Sequence, residues 1–355
     1  MTRTFSQRYE WIDAARGLAI LFVVLWHISL WHFEMSGEWS PLLKPVVDFL
    51  RDIRMPLFFL ISGFLARKLI ERPMKDSLVR VANIYFVFVF WSSMVAVKAL
   101  ALGGASFPQA LSQLFWTLLL PTGYWYLWAI AVYTLVTRLI VTDKITSKLV
   151  ALMIGLTLFY SAPEISEITR AYFSPILKHT FFYDVALNFL FFVCGTMGTA
   201  TTAAIIYNVK LPRRLLIIAG CLFTVLILRF SSWETTANLI LRYSVIAAIL
   251  LAVPLVTGLV SRVLQALGRM TIYIYIFHPI YMTFSGIIIL RHDVSRYLSF
   301  MPIELSIFLH SIIAILGAII LRSAAQKLHF ATLFEGPLKK DGTIKSPLSF
   351  STGKT

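Results

Sequence analysis

Apolar runs broken by charge, proline and glycine recur from one end of the chain to the other. Several hold around 20 residues with few or no charges, enough to cross a bilayer core of roughly 30 Å. The pattern predicts about ten helices, near residues 15–33, 55–70, 79–101, 122–141, 147–162, 181–200, 214–230, 239–258, 269–290 and 303–322. The first run follows a basic stretch but contains His27 and leads into Phe33-Glu34-Met35 without a small-residue cleavage pattern, so it reads as a retained helix rather than a signal peptide. Between residues 34 and 54, apolar and charged positions alternate at helical spacing, which predicts an amphipathic helix in the outer interface. From Glu335 onward the chain turns polar and reads as a flexible cytoplasmic tail, so that 1–334 forms one membrane domain and 335–355 the tail.

Composition sharpens this picture. Of 355 residues, 58% are apolar and 14% charged, against roughly 45–50% and 25% for an ordinary soluble domain. That excludes a cytosolic enzyme, a secreted disulfide scaffold and a disordered chain, and leaves an all-α polytopic membrane protein. Cys194 and Cys221 both fall inside apolar runs and offer neither a disulfide framework nor a metal spacing. The net charge of +15 is informative through its distribution. With the N-terminus inside and ten spans, 22 of the 32 basic residues fall on the cytoplasmic side, as the positive-inside rule requires. Both termini are then cytoplasmic, and the charge calls for no nucleic-acid partner.

Ionisable side chains within the apolar runs are the candidates for chemistry, because each costs at least about 2.5–3.5 kcal/mol at the bilayer centre. Arg16 and His27 lie eleven residues apart in the first helix, about three turns plus 20°, hence on one stripe and roughly 16 Å apart. Asp13, one turn before Arg16, shares that face. One reading is an interfacial ion pair and a packed histidine; the other makes His27 a general base, since neutral imidazole suits that role near neutral pH. His278 lies nine residues past Arg269 in a helix of the same inferred direction, a rise of roughly 14 Å that puts it near the depth of His27. Its alternative is a hydrogen-bonded kink at His278-Pro279. Lys98 and Asp184 are candidates for a buried polar network, and His32, His179 and His292 read as interfacial with no metal spacing.

Arg16 and His27 with ten residues between them, Trp11-Ile12-Asp13 before them, and Met55-Pro56-Leu57-Phe58-Phe59-Leu60-Ile61-Ser62-Gly63-Phe64-Leu65 after them resemble the membrane-bound acyltransferase-3 family. Trp125-Tyr126-Leu127 and Gly268-Arg269 through His278-Pro279 continue the likeness in order, and the pattern is similar to fucose 4-O-acetylase-type members. The resemblance implies transfer of an acyl group, usually acetyl from cytoplasmic acetyl-CoA, to a hydroxyl of a cell-surface glycan or lipid-linked sugar at the cell membrane. It implies that Arg16 and His27 are the essential pair, with His27 as base or acyl carrier and Arg16 supporting the donor; Asp13, from its shared face, and His278, from its depth, complete the catalytic candidates. It also implies that basic residues at the entry to the third helix, Arg67, Lys68, Arg72 and Arg80, hold the CoA phosphates. The family often carries a basic residue three positions before that last arginine; here it is Ser77. Arg54, Ser62, Trp125 and Tyr126 are the candidates for contact with the acceptor, by close helix approach or sugar stacking, set against packing and an aromatic belt. No permanently bound cofactor or metal is expected, and a homo-oligomer is left open. The rival class is a proton-coupled transporter or glycolipid flippase, against which no internal repeat is visible.

Overall fold

The computed structural model describes residues 10–102, 104–142, 144–173, 181–228, 234–291 and 301–339. These are helical, with no strand among the described residues. In chain order the helices are α1 (Glu10–Ser36), α2 (Lys44–Ile70), α3 (Met74–Ala101), α4 (Phe107–Thr117), α5 (Trp125–Ile140), α6 (Ile145–Tyr160), α7 (Ala162–Phe173), α8 (Phe182–Asn208), α9 (Leu211–Leu228), α10 (Glu234–Ala252), α11 (Gly258–Arg269), α12 (Thr271–Arg291), α13 (Ile303–Lys327) and α14 (Thr332–Glu335). Seven of them, α1, α3, α8, α9, α10, α12 and α13, are long and apolar enough to cross a membrane, and α6 with α7, bent by 62°, makes an eighth. The chain is therefore an all-α, multi-pass membrane protein.

The two other expected spans fall on α2 and α5, which are not among these helices. Helix α5 is only 16 residues long. In α2 the expected interfacial helix and the expected span fuse into one 27-residue helix that runs through Pro56. Its first turns are amphipathic as predicted: Val47, Leu50 and Ile53 are buried while Lys44 pairs with Asp48 at 2.6 Å on the exposed side. Four helices, α4, α7, α11 and α14, went unpredicted. Helix α4 begins at Ser106, whose N–H donates to the Gln109 side chain at 2.8 Å, and α11 is a short amphipathic helix that buries Leu264 and Leu267. Lys98, expected within a polar network, is exposed near the end of α3.

The chain divides into two compact units, Met1–Ile61 with Ala200–Arg322, and Ser62–Thr199 with Ser323–Thr355. In the first, glycines bring α1 and α11 into backbone contact. A Cβ on Gly17 would overlap the Leu264 carbonyl, and one on Gly268 would overlap the Asp13 carbonyl. Between lipid-solvated helices the gain comes from such close packing, not from hiding apolar surface from water. Helices α1 and α12 lie side by side in parallel: His27 faces His278, and a Cβ on Gly286 would touch Trp31 and Met35. Gly317 on α13 likewise leaves room for the Phe277 ring of α12. No residue of α9 is buried, and its uniformly apolar surface suits contact with lipid.

In the second unit, Gly63 of α2 crosses α8 so closely that a Cβ would overlap the Phe192 carbonyl. The Tyr133 hydroxyl of α5 donates to the Val185 carbonyl of α8. Asn83 of α3 donates to the Leu338 carbonyl at 3.0 Å and accepts the Leu338 N–H at 2.8 Å, and Trp91 Nε1 donates to the Leu333 carbonyl at 2.8 Å. The first residues of the expected tail are thus clasped to α3, whereas 340–355 lie outside the described residues.

The glycine contacts give a test of this packing. Gly17→Val and Gly268→Val should each destabilise the detergent-solubilised protein by about 1–3 kcal/mol or more. Gly220→Ala, where a Cβ meets nothing within 4 Å, should be neutral or stabilising by up to about 1 kcal/mol. Thermal unfolding of the three variants reads this directly, and equal midpoints would contradict the α1–α11 contact.

Candidate functional site

His27 and His278 meet in the first unit, with ring centroids 4.9 Å apart and planes at 53°. Each imidazole is tied back to its own helix. His27 Nδ1 donates to the Val23 carbonyl at 2.8 Å and His278 Nδ1 to the Ile274 carbonyl at 3.0 Å. A carbonyl only accepts, so in the neutral ring the single proton sits on Nδ1 and the lone pair on Nε2. His278 Nε2 is buried with no hydrogen-bond partner among the described residues. The kink reading of His278 also holds in part. Pro279 has no N–H, which strips the Tyr275 carbonyl of its helical donor, and the His278 ring lies against that carbonyl too. The same side chain therefore supports the helix and keeps a bare nitrogen.

A cation completes the group. Arg54 of α2 lies with its guanidinium carbon 3.5 Å from the centroid of the Trp26 ring, a cation–π contact of roughly 0.5–2 kcal/mol depending on solvation. Trp26 in turn meets His27 edge-on at 4.8 Å, and the charge of Arg54 reaches both imidazoles. The sequence pattern places Arg54 at the outer end of its helix as an acceptor contact; the fused α2 brings it to the two histidines. Only the tertiary packing of α1, α2 and α12 reveals this.

Asp13 and Arg16 occupy the other end of α1. Their side chains approach to 4.0 Å, with Asp13 buried and Arg16 partly exposed. The rise along α1 separates Arg16 from His27 by roughly 16 Å, so the two share a helix and not a contact. Beside this turn opens a cavity of about 920 Å³ between the start of α1 and α11, walled by Glu10, Trp11, Tyr207, Ser261, Arg262 and Gln265. Its polar wall comes from α11, whose sequence reads as a connection between two spans and so hides the site.

The remaining predicted residues belong to the second unit. The Ser62 and Tyr126 hydroxyls are 2.7 Å apart and hydrogen-bonded, and Arg80 lies within electrostatic reach of Tyr126 and Glu335. Trp125 stacks on Phe181 with centroids 5.6 Å apart and planes at 11°, which covers one face of the indole. Arg67 pairs with Glu71 at 2.8 Å and donates to the Met197 carbonyl at 3.3 Å, while Lys68 and Arg72 are exposed at the end of α2. Ser77, where a basic residue is often found, is fully buried and donates to the Leu69 carbonyl at 3.0 Å; a basic side chain has no room there. His179 and His292 lie outside the described residues.

Comparison with known proteins bears on this arrangement. The acyltransferase-3 family model, described as an acyltransferase domain, matches residues 9–322. Among curated proteins, the nodulation protein NolL of Sinorhizobium fredii (strain NBRC 101917 / NGR234) is 27% identical over 184 residues, covering 50% of this chain and 47% of that protein. The chain thus spans about half the length of this relative. No solved structure matches.

The Ser62–Tyr126 bond is testable by a double-mutant cycle. Ser62→Ala and Tyr126→Phe should each cost stability, and combining them should add little, with a coupling of about 0.5–1.5 kcal/mol. Denaturation in detergent measures it, and strict additivity would show that the bond does not form.

Proposed function

Because the chain belongs to the acyltransferase-3 family, and so is a membrane acyltransferase, we propose that it moves an acyl group, acetyl foremost, from cytoplasmic acyl-CoA to a hydroxyl of a cell-surface glycan or lipid-linked sugar at the plasma membrane. The observation that carries this reading is the facing pair of His27 and His278, both with Nδ1 committed to backbone and Nε2 left for chemistry, beside a cation. General bases of this kind contribute typically 10²–10⁴-fold to rate.

The acceptor hydroxyl gives its proton to His27 Nε2 as its oxygen attacks the thioester carbonyl. Negative charge then gathers on the carbonyl oxygen, and Arg54, held on the face of Trp26, is the group we assign to stabilise it. Collapse breaks the carbon–sulfur bond, and the imidazolium returns the proton to the departing thiolate. The products are the ester and free CoA, with atoms and charge in balance. His278 keeps the His27 ring in place and offers a second acceptor nitrogen to the incoming hydroxyl.

The donor's phosphates need cations on the cytoplasmic side. We assign Arg16, which pairs with Asp13 one turn from the 920 Å³ cavity, and Arg262, which lines that cavity; the basic residues Arg67, Lys68, Arg72 and Arg80 of the second unit are separate candidates, assigned from the sequence pattern. Arg16 then acts on the donor from a distance, not on the proton transfer at His27.

His27→Ala and His27→Gln should lower acyl transfer by roughly 10²–10⁴-fold without loss of folded protein. Arg54→Gln should lower kcat by about 10²–10³-fold while leaving acetyl-CoA affinity nearly unchanged. Release of CoA and transfer of label from radiolabelled acetyl-CoA are the measurements. Folded His27 variants that work at the wild-type rate would remove His27 from the chemistry, and movement of substrate without consumption of CoA would favour a transporter.

A further inference from the structure

A second imidazole group lies in the first unit, unused by the reaction above. Nδ1 of His310 on α13 is hydrogen-bonded to the Tyr281 hydroxyl on α12. The His310 ring also lies 4.9 Å from that of Trp31 on α1, tilted by 58°. His32 follows Trp31 in the chain, lies within electrostatic reach of His310, and is buried to 1% exposure although its sequence position reads as interfacial.

The hydrogen bonds leave polar atoms of these groups unanswered. His32 Nδ1 lies 3.2 Å from the Ser36 hydroxyl, while His32 Nε2 is buried with no hydrogen-bond partner among the described residues, a state that folded proteins seldom leave unexplained. His310 engages the Tyr281 hydroxyl through Nδ1, which leaves Nε2 as the second polar atom of that ring. An imidazole nitrogen donates or accepts according to its tautomer, and a sugar hydroxyl can answer either role.

Position agrees with that chemistry. Trp31 and His32 follow His27 by four and five residues on α1, and Tyr281 follows His278 by three on α12. Since the two helices run in parallel, the group stands roughly 5–7 Å beyond the reacting pair on both. It lies on the side away from Asp13 and Arg16, and leads to the exposed end of α1 at Ser36. A donor held near Arg16 and an acceptor held at His310 would meet at His27 from opposite directions.

We propose that His32, Tyr281 and His310, braced by Trp31, form the acceptor subsite, binding a sugar through adjacent hydroxyls so that a further one reaches His27. This rests on the acyltransferase reading above. The competing account, in which the group only binds α1, α12 and α13 together, makes a different prediction.

Purified wild type, Tyr281→Phe, His310→Gln and His32→Gln would be assayed with labelled acetyl-CoA and graded amounts of a glycolipid extract from the producing cell. Loss of one bond to the acceptor should raise the apparent KM for the extract by about tenfold, with the KM for acetyl-CoA at its wild-type value. The extract should also raise the melting temperature of the wild type and not of the variants, which reads binding even where turnover is weak. Variants that lose melting temperature and kcat together while both KM values stand still would overturn the subsite in favour of a packing role. Unchanged acceptor KM and an unchanged thermal shift would overturn it as well. A wild type that consumes no acetyl-CoA would instead bring down the acyltransferase reading on which the subsite depends.

Discussion

A histidine that gives its Nδ1 proton to a carbonyl one turn back in its own helix has a fixed ring and one nitrogen to spare. Both His27 and His278 do this, and the arrangement of the first unit follows from it. In lipid, a polar side chain without a partner is costly, so the backbone is the nearest available acceptor. That bond anchors each imidazole and, since a carbonyl only accepts, puts the single proton of the neutral ring on Nδ1 and the lone pair on Nε2. The tautomer is thus set by the helix itself.

Arg54 shows how a permanent charge is kept next to that pair. The flat face of Trp26 offers a guanidinium partial electrostatic compensation. The indole thereby softens the cost of a cation held beside two imidazoles. Trp26 also abuts His27, so one side chain packs against both the imidazole and the cation.

Much of the fold was legible in the chain itself. Apolar runs marked the long helices, and the eleven-residue step from Arg16 to His27 marked the face of α1 that carries its ionisable residues. Parallel inference from charge placed His278 at the depth of His27, and the two rings do meet. Arg54 was legible as an odd residue and not as a member of this group, because its neighbours are brought to it by helices far away in the chain. The polar wall made by α11 was hidden for a different reason: a twelve-residue amphipathic helix between two apolar spans has the composition of a loop. His310 was overlooked because a lone histidine in an apolar run acquires meaning only once Tyr281 and Trp31 are beside it. Two of the ten expected spans, on α2 and α5, fall outside the helices that are long and apolar enough by composition: charged residues interrupt the first, and the second has 16 residues.

The two hydrogen bonds between Asn83 and Leu338 join residues 255 positions apart. During synthesis the third helix enters the membrane long before its partner leaves the ribosome, and for that interval the Asn83 amide must be satisfied by something else. Water or lipid headgroups must stand in for Leu338 until α13 has been laid down. The clasp therefore closes late, only after α13 has been made, and draws the residues that follow that helix back to α3.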